Sequence, residues 1–162
     1  MAARAMDAET RADRNDHGAI RLWLRMLATN RLVETRTRRL LQERFATTLP
    51  RFDLMAQLER VPHGLKMGEL SKRMMVTGGN VTGITDMLED DGLVERVADP
   101  ADRRAWVVRL TPAGRRAFTA MAQQHERWIV ESFAELSGRE MSMMATLLAR
   151  LKTHVRSLEE QA

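Results

Sequence analysis

Thr77-Gly78-Gly79-Asn80, followed by Thr82 and Gly83, puts only short, uncharged residues at the head of a helical repeat. Each glycine inside a helix costs about 1 kcal/mol relative to alanine, so something outside the helix must repay it. Close approach of backbone to a partner surface would do so, and the free amides of a helix N-terminus suit a phosphate. Asn80 adds a carboxamide that can pair bidentately with adenine. Further along, Asp102, Arg103 and Arg104 sit in a charged turn. A guanidinium there can approach a phosphate or a minor groove, with Asp102 or Asp99 orienting it. For Arg103 and Arg104 the plainer reading is a surface ion pair worth roughly 0 to 1 kcal/mol. The chemistry on offer is recognition of a polyanion.

Val81, Ile84 and Leu88 recur at helical spacing, and Thr77 can cap the helix they define. Gly92 follows the last periodic residue and is expected to end it in a left-handed turn. Leu93 to Val97 and Ala105 to Leu110 are apolar, β-branched runs around the charged tip, which predicts a β-hairpin with a long loop. Thr111-Pro112 then opens another helix. From Leu93 to Arg116 there are six arginines (96, 103, 104, 109, 115, 116) against three acids (Glu95, Asp99, Asp102), so the hairpin is locally basic. A small polar helix beside a basic hairpin is what a winged helix-turn-helix presents to DNA.

The run Leu88-Glu89-Asp90-Asp91-Gly92-Leu93-Val94-Glu95-Arg96, then Asp99-Pro100-Ala101-Asp102-Arg103-Arg104, then Leu110-Thr111-Pro112-Ala113-Gly114 resembles the signature of the MarR family of bacterial transcriptional regulators. Three submotifs occur in the family's order and spacing and cover about a quarter of the chain. The family often has an arginine where this sequence has Gly83, so one contact to DNA is expected to be missing.

The rest of the chain must hold that unit. Its 162 residues, 44% of them hydrophobic, support one domain or a domain plus an extension. A net charge of +4 permits nucleic-acid binding without requiring it. The absence of cysteine excludes disulfides and thiol redox sensing, and agrees with a cytoplasmic protein. Residues 1–15 mix both charges without an apolar core, and are expected to form a flexible arm rather than a signal peptide or membrane anchor. Asp16 to Thr47 reads as one long helix, too long for a small core. Phe52, Met55, Ala56 and Leu58 mark a second helix, and Lys66 to Met75 a third. Pro112 to Leu136 carries Phe118, Met121, His125 and Ile129 on one face. Ser137 and Glu140 form a capping box that starts a last helix, striped by Met144, Leu147, Leu148, Leu151, Val155 and Leu158. The expected fold is mainly α with a small β-hairpin wing. A winged helix-turn-helix domain (48–111) joins a helical dimerisation domain made of 16–47 and 112–162.

Catalytic constellations are missing. His125-Glu126 lacks the second histidine of a zinc protease motif, Gly78 and Gly83 have P-loop spacing but Ile84 replaces the lysine, and His17, His63, His125 and His154 are scattered. An enzyme is not expected, and no cofactor or metal.

The resemblance implies a homodimer on a palindromic operator in double-stranded DNA, acting as a repressor, with no membrane partner. It also implies release by a small-molecule effector bound between the dimerisation helices and the winged domain. Candidate effector contacts are Trp23, Leu24 and Leu27 on the first helix and Phe52 and Met55 on the second, although each also fits a core role. Arg36, Arg38 and Arg39, with the stretch from Phe45 to Leu58, look similar to members that control aromatic-acid degradation. The effector would then be an aromatic acid or an aromatic acyl-coenzyme A thioester, whose phosphates such arginines could hold; the plainer reading of the arginines is a solvated helix face. Two alternatives stand beside this: a ligand-independent architectural DNA binder, and a winged protein-interaction module with no nucleic acid.

Overall fold

The computed structural model describes residues 18–74, 78–99 and 106–160. Along the chain run α1 (Gly18–Phe45), α2 (Leu49–Glu59), β1 (Leu65–Lys66), α3 (Met67–Met74), α4 (Gly78–Asp90), β2 (Val94–Ala98), β3 (Trp106–Leu110), α5 (Pro112–Ser132) and α6 (Gly138–Glu159). The architecture is mainly helical with one small antiparallel sheet, as expected of a winged helix-turn-helix. The chain divides into two compact units, Met1–Glu126 and Arg127–Ala162, the boundary falling inside α5.

In the first unit the periodic residues become the core. Leu54, Met55 and Leu58 of α2, Leu70 of α3, Val81 and Leu88 of α4 and Val94 and Val108 of the sheet are all buried. Thr85 joins them, its hydroxyl paired by donation to the Val81 carbonyl at 2.8 Å. The hairpin pairs Val94 with Leu110 and Ala98 with Trp106.

Three boundaries differ from expectation. Lys66 is not helical; it belongs to β1, which pairs with β3 and makes the sheet three-stranded in the order β1-β3-β2. A two-residue strand has no periodicity to betray it. What places it is Gly64, at φ +92°, where a Cβ would stand 2.6 Å from the Val108 carbonyl oxygen. The first long helix ends at Phe45 rather than Thr47 because Ala46 takes φ 49° and the amides of Ala46 and Thr47 fold back to Gln42 (3.1 Å) and Leu41 (3.4 Å).

In the second unit the helix expected to reach Leu136 stops at Ser132. The Phe133 amide is shared between the carbonyls of Ile129 and Val130, and the Leu136 amide closes a turn on Phe133 at 3.0 Å, so the last turn tightens out of α geometry. The expected capping box is present. The Ser137 amide donates to Glu140 Oε2 at 2.8 Å and Ser137 Oγ accepts from the Glu140 amide at 3.3 Å. The Ser137 hydroxyl also donates to Glu140 Oε2 at 2.6 Å, and that bond, with the one from the Ser137 amide, holds the Glu140 carboxyl below its ordinary pKa. None of α6 is buried: Met141, Met143, Leu147, Leu151, Val155 and Leu158 are all exposed.

Candidate nucleic-acid interface

The buried stripe of α4, Val81, Ile84, Thr85 and Leu88, fixes which face is left for a partner. At helical spacing the opposite line runs through Gly79, Gly83, Asp86 and Asp90; Asn80 and Met87 share one flank and Thr82 the other. All of these are exposed. Thr82 spends its hydroxyl proton on the Gly78 carbonyl, at 3.0 Å, so only its lone pairs and methyl group remain for a partner.

The glycines of this face are not required by the fold. A Cβ added at Gly79 or Gly83 would meet nothing within 4 Å, and neither has the positive φ that reserves a site for glycine. Two of the weakest helix formers therefore stand where alanine would fit and be more stable. By contrast Gly92, at φ +68°, is needed where it is. Its amide bonds to Glu89 at 2.9 Å and the Leu93 amide to Leu88 at 2.9 Å, the double closure of a Schellman turn.

That turn aims the chain from α4 into the hairpin, and Arg96 locks the result. From β2 its guanidinium bonds both Asp86 and Glu89 of α4, while its backbone amide donates to Glu89 at 3.2 Å. The hydrogen bond to Asp86 does most to raise the Arg96 pKa above its ordinary value, opposed by burial and aided by the charge of Glu89. Sequence reading gave Arg96 only to the basic count; the signal available was the pair of α4 carboxylates three residues apart, Asp86 and Glu89. On the neighbouring strands Arg109 meets Glu95 at 2.8 Å, and Lys66 of β1 meets Asp99 near the hairpin tip at 3.1 Å. Asp99 thus has a cation other than the tip arginines. Thr77, Asp102, Arg103 and Arg104 lie outside the described residues.

The residues expected to meet an effector are spread over the first unit. Trp23 is 56% exposed, whereas Met55 is fully buried and Phe52 nearly so. Leu24, Leu27 and Arg36 are half-buried. Arg38 and Arg39 pair with Glu34 and Glu43, one turn away on the same helix, at 3.1 Å each. Phe52 stacks on Phe118 with centroids 5.5 Å apart and lies 4.9 Å from the His125 ring. Burial lowers the His125 pKa, the nearby Asp53 opposing it, and burial raises that of Asp53. Neither residue stood out as functional in the sequence. A cavity of about 180 Å³ lies beside Ala46 and Thr47, bordered by Arg51, Asp91, Leu93 and Met121. Arg51 bonds Asp91 there, and its Nε–H lacks an acceptor among the described residues.

With that geometry in hand, the likeness to known proteins is specific. The MarR family model matches residues 47–106, from just before α2 to the first residue of β3. A MarR family transcriptional regulator from Silicibacter pomeroyi superposes with a TM-score of 0.74 at 31% identity, covering 88% of this chain and 99% of that one. The transcriptional activatory protein BadR of Rhodopseudomonas palustris is 28% identical over 166 residues, covering 100% of this chain and 94% of BadR. CouR from Rhodococcus jostii RHA1, whose crystal structure holds p-coumaroyl-CoA, shares the fold with a TM-score of 0.70 at 18% identity, covering 80% of this chain and 90% of CouR. The first two are transcriptional regulators and not enzymes. Among the described residues no helix is long and apolar enough to cross a membrane. A relative at 31% identity matched over 99% of its length, together with the family model from α2 to the start of β3, shows that the chain belongs to the MarR family of DNA-binding transcriptional regulators.

Proposed function

We propose that the protein is a homodimeric repressor that grips a palindromic operator with two copies of α4 and the hairpin, and lets go when a small anionic effector binds. The observation that carries the DNA-contact part is the pair of exposed glycines at 79 and 83, which cost helix stability and which the fold itself does not need. α4 enters the major groove with Asn80 as base reader, and Arg103 and Arg104, between β2 and β3 in the sequence, reach the minor groove or its phosphates. Pairing rests on α6: a 22-residue helix with no buried residue leaves an apolar stripe that a second copy can cover. Half-sites then lie about one helical turn apart. Residues 16–47 and 112–162 form the dimerisation part and 48–111 the reading part.

The effector reading is an aromatic acid or its coenzyme A thioester. Its support is the thioester held by CouR, a protein of the same fold, and the arginines of α1. Release requires that the effector bind the DNA-incompetent arrangement more tightly than the competent one. BadR, a transcriptional activatory protein, favours a second reading, in which the same grip activates transcription.

Gel shifts on the protein's own upstream region test the core of this. Arg103→Ala combined with Arg104→Ala is expected to abolish specific binding with an unchanged circular dichroism spectrum; retained affinity removes the hairpin tip from the interface. Calorimetric titration with benzoate, p-coumarate and their thioesters, followed by gel shift, tests the effector class, and no heat and no release from any of them discards it. A reporter assay separates repression from activation, and loss of any preference for operator over random DNA at matched salt leaves the architectural alternative.

A further inference from the structure

We infer that α4 reads A·T base pairs, and that the bases under it are recognised by an adenine-pairing carboxamide and by contact with thymine methyl groups, with no guanine readout. The inference rests on the DNA-binding reading and narrows its substrate to operators with an A·T core in each half-site.

Guanine is distinguished in the major groove chiefly by a bidentate arginine or lysine on its O6 and N7. From Met74 to Asp90 the sequence has neither residue. The cations nearest along the chain, Lys72 and Arg73, belong to α3, and Arg73 is turned back on Glu69 at 3.4 Å. In a helix-turn-helix that first helix crosses the phosphate backbone, so its cations position the protein and do not select bases. From the hairpin, Arg96 is occupied by Asp86 and Glu89 and is not available to a base.

What α4 does offer is complementary to A·T. Asn80 is exposed on one flank and can accept from adenine N6 and donate to N7. Met87, about two turns further along the same flank, is 49% exposed although apolar, and a thymine C5-methyl is the apolar feature of the groove floor. Thr82, its proton committed to Gly78, shows a methyl group on the other flank. The open space at Gly79 and Gly83 lets the helix axis sink between these flanks until such short groups touch the bases. Short side chains alone could not span the gap that a long arginine bridges.

In vitro selection of the full-length protein on duplexes with a randomised centre tests this. The expected half-sites carry A·T pairs at the positions under α4. On the selected duplex, replacing each of those thymines by uracil, which removes only the methyl group, is expected to weaken binding about fourfold at one position or more, the equivalent of about 0.8 kcal/mol per buried methyl. Met87→Ala or Thr82→Ser should make that uracil penalty disappear, and Asn80→Ala should reduce affinity at least about tenfold while relaxing the preference for adenine at one position. Gly83→Arg should recruit guanine into the selected site. A wild-type pool enriched in G·C under α4, or indifference to uracil at every position, overturns the inference while leaving DNA binding intact. A pool that never enriches overturns the DNA-binding reading with it.

Discussion

Gly114 of α5 lies so close to Leu93 that a Cβ on it would stand 1.8 Å from the Leu93 carbonyl oxygen. That carbonyl also accepts from the Thr111 amide at 3.1 Å, while Thr111 Oγ1 donates to the Gly92 carbonyl at 2.7 Å and accepts from the Gly114 amide at 2.9 Å. Thr111 and Gly114 therefore weld the start of α5 to the turn that ends α4. Because backbone rather than a flexible side chain blocks the space, it cannot give way cheaply. Gly114→Ala is expected to lose about 2 to 3 kcal/mol of stability, the upper range for overpacking, in chemical denaturation followed by circular dichroism. A loss below about 0.5 kcal/mol, the range of ordinary surface substitutions, would show that α5 can shift and that the weld is not tight.

Gly79→Ala and Gly83→Ala run the opposite way. Both sites are helical, exposed and open, so each substitution should raise stability by about 0.5 to 1 kcal/mol. Both should weaken operator binding, because the added methyl groups stand on the line that faces the bases. Stability rising while affinity falls is the expected pair of readings. Unchanged affinity in both variants would take the centre of α4 out of the interface.

Much of this was legible because it is written in local rules. Gly92 as a helix stop, Thr111-Pro112 as a helix start and Ser137 with Glu140 as a capping box depend on residues a few positions apart, and all three stand where expected. The hairpin followed from two apolar, β-branched runs on either side of a charged stretch. What sequence could not give depends on contacts distant along the chain. The strand at Leu65 exists because Val108 of β3 is there to pair with it, and Arg96 matters because folding brings it to Asp86 and Glu89. Phe52 and Met55 illustrate the same limit, since apolar residues that line a pocket and apolar residues that fill a core share one spacing; here both are buried.

Ala46 holds a left-handed conformation, φ 49°, at the end of α1. An L-residue there costs roughly 1 to 2 kcal/mol, of which glycine's greater freedom in the unfolded chain would cancel part. Ala46→Gly is expected to stabilise by about 0.5 to 1 kcal/mol in thermal denaturation. Destabilisation instead would mean that the Ala46 methyl packs favourably against the cavity it borders.

Acid should destabilise the first unit through His125. Its folded pKa lies below the ordinary 6.5 because burial disfavours the imidazolium, with Asp53 opposing. A depressed value means that the unfolded chain takes up the proton first, so the contribution is present above pH 6.5 and is lost as pH falls through the folded value. Asp53, raised by burial, acts in the opposite direction, gaining stability as pH falls through its folded value toward the ordinary 3.8. Thermal midpoints of the wild type are expected to fall from pH 7 toward pH 5, and those of His125→Gln to fall less. Parallel profiles would remove His125 from the acid response.

Arg96→Met isolates the clamp between β2 and α4. The pairs it makes are partly exposed, so the loss of stability should stay within about 1 kcal/mol. The effect on DNA should be larger, because Asp86 and Glu89 lose their counter-charge on a helix that approaches phosphates. Repulsion between exposed charges is screened over about 10 Å at 0.1 M salt. The affinity deficit relative to wild type is therefore expected to be greatest at low ionic strength and to shrink as salt rises. Adding Asp86→Asn and Glu89→Gln to Arg96→Met should recover most of it, since the carboxylates and not the missing guanidinium cause the repulsion. A deficit that ignores salt and survives the triple substitution would assign Arg96 a different part, that of fixing the hairpin's angle against α4.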